Sequence, residues 1–165
     1  MAKQLLLVRH GKSDWGNTDL KDFDRPLNKR GKENAPEMAE RLIKRRFYFD
    51  LMVSSPAKRA KSTAKFFAEA FKIDEIHYEE SIYEANTNVL LKVVNSLDDN
   101  ADTVIMFGHN PGFTDLANEL SDADIYNIPT AGMVLLSFPF DSWKMVSKGT
   151  GDFVFFDYPK NSDEM

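Results

Sequence analysis

The sequence contains no cysteine. This excludes disulfide frameworks, cysteine-ligated zinc, iron–sulfur clusters and cysteine nucleophiles, and it leaves the redox compartment open. There is no excess of positive charge either. Lys and Arg number 21 against 26 Asp and Glu, a formal net charge of −5. A general electrostatic grip on nucleic acid or on anionic lipid is therefore not expected, although local basic clusters remain open. Long apolar runs are also missing. The start, Met1-Ala2-Lys3-Gln4, leads only into the short run Leu5–Val8 before Arg9, too short for a signal-peptide core. No run approaches the roughly 18 apolar residues of a membrane span. The expectation is a cytoplasmic protein without a membrane segment. No internal repeat, low-complexity segment or domain linker is visible.

What is present is ordinary globular material: 165 residues, 42% hydrophobic and 28% charged. That suits one domain, read as residues 1–159 with a polar, frayed tail over 160–165. Residues 4–9 (QLLLVR) are apolar on both faces and read as a buried strand. Residues 11–30 are polar and read as a loop, long enough to be functional. A helical period follows to Phe47, starting either near Lys32 or at Asn28 with a bend at Pro36. Residues 50–54 make a second strand. Ser55-Pro56 reads as an N-cap and first helical residue of a helix running to Phe71. Residues 75–79 suit an edge strand, 86–97 a helix, 102–107 a strand, 111–120 a helix and 131–138 a strand. Two further strands, 143–146 and 153–156, are predicted on either side of the Gly149-Thr150-Gly151 turn. Strands alternating with amphipathic helices predict an α/β layer fold, its sheet largely parallel with an antiparallel edge.

Three strand ends share a feature. The first ends in Arg9-His10-Gly11. The second ends in Ser54-Ser55-Pro56, with Arg59 in the first turn of the next helix. The strand over 102–107 ends in Gly108-His109-Asn110-Pro111-Gly112. Ligands of open α/β sheets bind beyond the carboxyl ends of the strands, so Arg9, His10, Arg59 and His109 are candidates for one pocket. Two guanidiniums and two helix N-termini would favour a phosphoryl group. A neutral imidazole there is a competent nucleophile toward phosphorus. The surrounding cations would stabilise the equatorial oxygens during transfer without a metal. Plainer readings exist: Arg9 as a gatekeeper at a sheet edge, Arg59 on a solvated face with Lys58 and Lys61, Gly108–Gly112 as a tight turn. A rival reading joins His10 and His109 with Asp14 and Asp115 as metal ligands, but the adjacent arginines would repel a dication. His77 reads as an ordinary polar residue.

At these residues the sequence resembles the histidine phosphatase superfamily. Arg9-His10-Gly11 matches its signature triplet. Ser54-Ser55-Pro56 with Arg59-Ala60 and Thr63-Ala64 is similar to its second motif, and Gly108–Gly112 to its third. Asp24-Arg25-Pro26-Leu27 with Gly31, Ile82–Ala85 and Pro129-Thr130-Ala131 are similar to segments of its SixA-type phosphohistidine phosphatases. The resemblance implies a three-layer phosphoglycerate mutase-like fold with no cofactor and no metal. It implies His10 as the phosphorylated nucleophile and Arg9, Arg59 and His109 as phosphoryl ligands, joined by Gly11 and Arg25. It also implies action on a phosphorylated protein such as a histidine-phosphorelay domain, and the short chain with an open site suits a monomer. Relatives that cleave esters carry a glutamate general acid, usually before glycine. Glu84 is the nearest counterpart, but Ala85 follows it, and a helix-start carboxylate explains Glu84 equally well. An imidazole leaving group, with a conjugate-acid pKa near about 6.5, needs such an acid less than an alcohol does. Two other readings remain: a phosphatase for a sugar phosphate or nucleotide, and a non-catalytic phosphate-binding module.

Overall fold

A computed structural model describes residues 2–161 of the chain. Six strands form one sheet: β1 (Lys3–Arg9), β2 (Leu51–Ser54), β3 (His77–Tyr78), β4 (Thr103–Gly108), β5 (Met133–Phe138) and β6 (Asp152–Asp157). Their order is β3-β2-β4-β1-β5-β6. The pairings among β3, β2, β4 and β1 are parallel, whereas β5 and β6 are antiparallel. The expected mixed sheet with an antiparallel edge is therefore present.

Strand β1 is central because it is apolar on both faces. Leu5 and Leu7 point into one core, where they meet Leu90 and Val94 of α3 (Thr87–Asn95) and Phe113 and Leu116 of α4 (Gly112–Leu120). Leu6 and Val8 point into the other, against Ala35 and Met38 of α1 (Lys29–Lys44) and Phe67 of α2 (Lys58–Phe71). The alternation of side chains along a strand thus divides one short run between two helical layers. All four β1 residues are fully buried, and trimming a buried leucine to alanine costs about 2–5 kcal/mol.

Helix α1 begins after Asn28, whose side chain accepts the Gly31 N–H, and Pro36 lies within it. The loop over 11–30 is tied across its base. Asp14 donates its N–H to the Pro26 carbonyl, Asn28 donates to that of Lys12, and Ser13 bridges Leu27. Its tip carries a short 3-10 turn, Asp22–Asp24.

Three local expectations are corrected. Residues 143–145 form a 3-10 turn rather than a strand. The Ser142 side chain caps the Lys144 N–H, Asp99 accepts the Trp143 N–H, and the buried indole donates to the Ala101 carbonyl. These bonds satisfy the backbone locally and remove it from a ladder. Ser55 is not the N-cap of α2, because Ala57 holds that position without a side-chain bond. The predicted edge strand over 75–79 shortens to His77–Tyr78. Of the predicted tail, Lys160 belongs to the turn Pro159–Asn161, and residues 162–165 lie outside the described residues.

Candidate active site

The register of β1 against β4 builds the site. Arg9 pairs with Gly108, so the next residues, His10 and His109, emerge side by side, and the His10 N–H donates to the Gly108 carbonyl. Their ring centroids are 5.3 Å apart. Strand β2 lies on the other side of β4, and its end delivers Ser55 and then Arg59 from the first turn of α2. Arg9, His10, Arg59 and His109 line one cavity of about 430 Å³.

His10 is buried. Its Nδ1 lies 2.6 Å from the Gly11 carbonyl oxygen, a partner that can only accept, so Nδ1 carries the proton. Nε2 is then the unprotonated nitrogen, and the Arg59 Nε–H points at it from 3.4 Å. Burial holds the imidazole neutral, lowering its pKa to about 3. The Gly11 contact works the other way, while His109, Arg59 and Arg9 lower it further.

His109 is likewise held neutral, at about 3, by burial first and then by Arg59, with Asp22 opposing. Its Nε2 lies 2.8 Å from Ser55 Oγ, which also accepts the Ala57 N–H. A hydroxyl both donates and accepts, so this bond admits either tautomer of His109. Among the described residues, the buried side-chain nitrogens without a partner are His109 Nδ1 and Arg9 Nε. Buried polar atoms are nearly always paired, and both of these belong to cavity residues. The remainder of Arg9 is anchored by its Nη1–H on the Ile128 carbonyl. Burial and the nearby Arg59 push its pKa down.

Arg59 is held by Asp22 at the tip of the 11–30 loop. Its Nη1 donates to the Asp22 carbonyl at 2.7 Å and its Nη2 to Oδ2 at 3.0 Å. The same carboxylate accepts from Arg25 and from the Tyr83 hydroxyl at 2.6 Å. Burial would raise the Asp22 pKa, but these donors outweigh it and hold the carboxylate at about 2. Tyr83, through burial and the carboxylates of Asp22 and Glu84, is pushed well above its usual range.

The other predicted site residues divide. Arg25 lines the cavity, is buried, and bonds to Asp22 and Ser13. Gly11 lies beside His10, but its N–H is taken by Thr63 Oγ1 at 3.0 Å and its carbonyl holds His10 Nδ1, so the residue orients the imidazole rather than offering a donor to phosphate. Glu84 is exposed, has a positive φ of 57° and lies outside the cavity wall. That wall carries the cations Arg9, Lys12, Arg25 and Arg59, the two histidines, and neutral side chains, and the Asp22 carboxylate is bonded to two of the cations. Asp14 and Asp115 do not join the histidines: no cluster of three or more His, Asp or Glu able to hold a metal exists among the described residues. His77 is exposed and pairs with Glu75. It borders a separate groove of about 580 Å³ between β3 and α3 that contains neither guanidinium nor a second histidine.

Sequence reasoning missed Asp22, Tyr83, Trp15 and the bond from Ser55 to His109. Ser55 carried a signal, through its place at the end of β2, and Tyr83 carried one through the resemblance over Ile82–Ala85, although neither was assigned a role. No helix among the described residues is long and apolar enough to cross a membrane.

Comparison with known proteins shows a family and a fold. The family model of the histidine phosphatase superfamily (branch 1) matches residues 5–109. An uncharacterized chloroplastic protein of Arabidopsis thaliana is 30% identical over 154 residues, 87% of this chain and 70% of that one. A solved structure from Agrobacterium tumefaciens, described as a candidate phosphohistidine phosphatase SixA, is 26% identical with a TM-score of 0.82, covering 95% of this chain and 98% of that one. The protein histidine phosphatase SixA complexed with tungstate shares the fold at 18% identity and a TM-score of 0.82, covering 96% and 99%.

Proposed function

Since the chain belongs to the histidine phosphatase superfamily, we propose that it is a metal-independent phosphatase that removes the phosphoryl group from phosphohistidine in a protein by way of phosphorylated His10. The observation that carries the substrate class is the cavity, whose four wall cations and two neutral histidines are joined by one carboxylate, Asp22, already ionised and bonded to Arg25 and Arg59. An alcohol leaves as a strong base and needs a proton from a general acid worth roughly 10²- to 10⁴-fold. At neutral pH the groups around the cavity are poorly suited to give one. His109 is already neutral, Asp22 is ionised, and Tyr83 holds its proton tightly. An imidazole leaving group has a conjugate-acid pKa near about 6.5 and takes its proton from solvent or carries it in. The likeness to the SixA structures supports the same class.

In the first half-reaction the lone pair of His10 Nε2 attacks phosphorus in line, the substrate P–N bond breaks, and the departing nitrogen takes up the proton. Arg9, Arg59 and His109, which line the cavity with His10, serve the equatorial oxygens, where charge builds. The Gly11 carbonyl keeps Nδ1–H in place and stabilises positive charge on the imidazole as the P–N bond to His10 forms. In the second half-reaction water attacks the phosphoenzyme, its protons end on phosphate and solvent, and His10 leaves as neutral imidazole. A histidine-phosphorelay domain is a suitable protein substrate, because its phosphoryl group sits on an exposed imidazole.

The test compares a phosphohistidine-bearing protein domain with simple phosphomonoesters in the presence of EDTA, using wild type and His10→Ala. Preference for phosphohistidine with a dead variant supports the reading. Turnover of esters alone, or cleavage that survives His10→Ala, overturns the substrate or the nucleophile respectively.

A further inference from the structure

The chain has two tryptophans, and they lie in opposite environments. Trp143 is fully buried with its indole N–H bonded. Trp15 is 73% exposed and lines the same cavity as His10, Arg59 and His109. A large aromatic ring left in water at the rim of a charged cavity is unusual for a residue that normally earns its place by burial.

The ring also has a defined partner. The Arg25 guanidinium lies over it, 3.5 Å from the ring centroid, and Arg25 is itself fixed by Asp22 and Ser13. The backbone beside Trp15 is pinned across the loop by the Asp14 N–H on the Pro26 carbonyl. A guanidinium over a ring face is a cation–π contact of modest strength. It covers one side of the indole and, given the exposure of the residue, leaves much of the rest open.

We propose that Trp15 is the seat for the leaving group: the imidazole ring of the substrate phosphohistidine rests on the open side of the indole while its phosphoryl group enters the cavity toward His10. The seat presupposes the phosphohistidine substrate argued above and adds how the ring, rather than the phosphoryl group, is recognised. A planar aromatic ring gains from offset or edge contact with the indole, whereas ammonia or a small alcohol has no π-face to offer. Because Arg25 anchors the indole before substrate arrives, little ordering entropy is lost on binding.

The experiment measures kcat/KM for phosphohistidine and for phosphoramidate, whose leaving group is ammonia, in wild type, Trp15→Ala and Trp15→Phe. The seat requires the ratio of phosphohistidine to phosphoramidate kcat/KM to fall about tenfold in Trp15→Ala, chiefly through KM, and to recover to within about threefold of wild type in Trp15→Phe. A ratio that stays constant, with both substrates losing equally, overturns the seat and reduces Trp15 to a support for Arg25. The buried Trp143 is the remaining tryptophan in both variants, and its emission reports whether they are folded. Failure of the wild type to cleave phosphohistidine while it hydrolyses esters overturns the substrate reading itself, and the seat with it, so the two failures are distinguishable.

Discussion

His10 Nδ1 lies 2.6 Å from the carbonyl oxygen of Gly11, the next residue in the chain. A carbonyl cannot donate, so this bond fixes the tautomer and leaves Nε2 as the unprotonated nitrogen, toward which the Arg59 Nε–H points. The phosphoenzyme is therefore expected to carry phosphorus on Nε2. Phosphorus–nitrogen correlation by NMR on the rapidly quenched intermediate checks this, and a signal from the Nδ1 isomer would contradict it. His10→Ala should lower phosphohistidine turnover by about 10³-fold or more, since the remaining groups only position and polarise.

A second prediction concerns pH. His10 and His109 both have folded-state pKa values lowered to about 3 from an ordinary value of 6.5. Between those limits the unfolded chain binds more protons than the folded one, so stability falls as pH drops from 6.5 toward 3. Asp22 acts in the same direction lower down. Its contribution is present above 3.8 and is lost as pH falls through about 2. The urea midpoint is expected to be lower at pH 5 than at pH 7, and His109→Gln should flatten part of that slope. The buffer must lack phosphate, which would favour the imidazolium and offset the effect. An equal slope in wild type and in a His10→Gln, His109→Gln double variant would refute the assignment.

The strand ends were legible because they combine apolar runs with residues that runs of that kind exclude. Arg9-His10-Gly11 and Gly108-His109 stand out against Leu5–Val8 and Val104–Phe107, and the parallel register of β1 on β4 then brings them together. Helix α1 was legible on its buried face, but its start was not, because Pro36 competed with Asn28 as the signal. The turn at Trp143 read as a strand because its composition is apolar and aromatic. What overrode that composition is a bond from Asp99, 44 residues away in the chain. Asp22 was invisible for a related reason. It is one of four aspartates in a polar loop, and only the folding of that loop over α2 selects it to hold Arg59.

The contact between Gly11 and Gly31 yields a stability prediction. A Cβ on Gly31 would overlap the Lys12 carbonyl oxygen and crowd the Lys12 nitrogen, both backbone atoms two residues beyond His10. Replacing glycine with alanine in a helix ordinarily gains roughly 0.5–1 kcal/mol. Here the overlap with main chain outweighs that gain, and Gly31→Ala is expected to destabilise by about 1–3 kcal/mol. It should also slow turnover, because α1 would push Lys12, and with it the backbone next to His10, out of place. Chemical denaturation and kcat for the same preparation check both parts, and a variant as stable as wild type would show that the loop yields.

The last prediction turns on Asp22, whose carboxylate shares the guanidiniums that a phosphoryl dianion would use. It accepts from Arg59 at 3.0 Å, from Arg25 at 3.0 and 3.2 Å, and from Tyr83 at 2.6 Å. Two effects follow from removing its charge while keeping its shape. The cavity becomes more positive, so a dianion is attracted more strongly. At the same time Arg59 or Arg25 loses an accepting oxygen, since the amide nitrogen that replaces one carboxylate oxygen cannot accept, and the pair that orients Arg59 is weakened. Asp22→Asn is therefore expected to lower the inhibition constant of inorganic phosphate by about 3- to 10-fold and to lower kcat as well. Binding and turnover should move in opposite senses because charge governs the first and orientation the second. The attraction acts through partly exposed groups, so added salt should shrink the gain in phosphate affinity without restoring kcat. Phosphate inhibition and kcat measured at low and high ionic strength separate the two effects. A rise in the inhibition constant would mean that Asp22 helps to build the phosphate site by positioning Arg59 and does not compete for it.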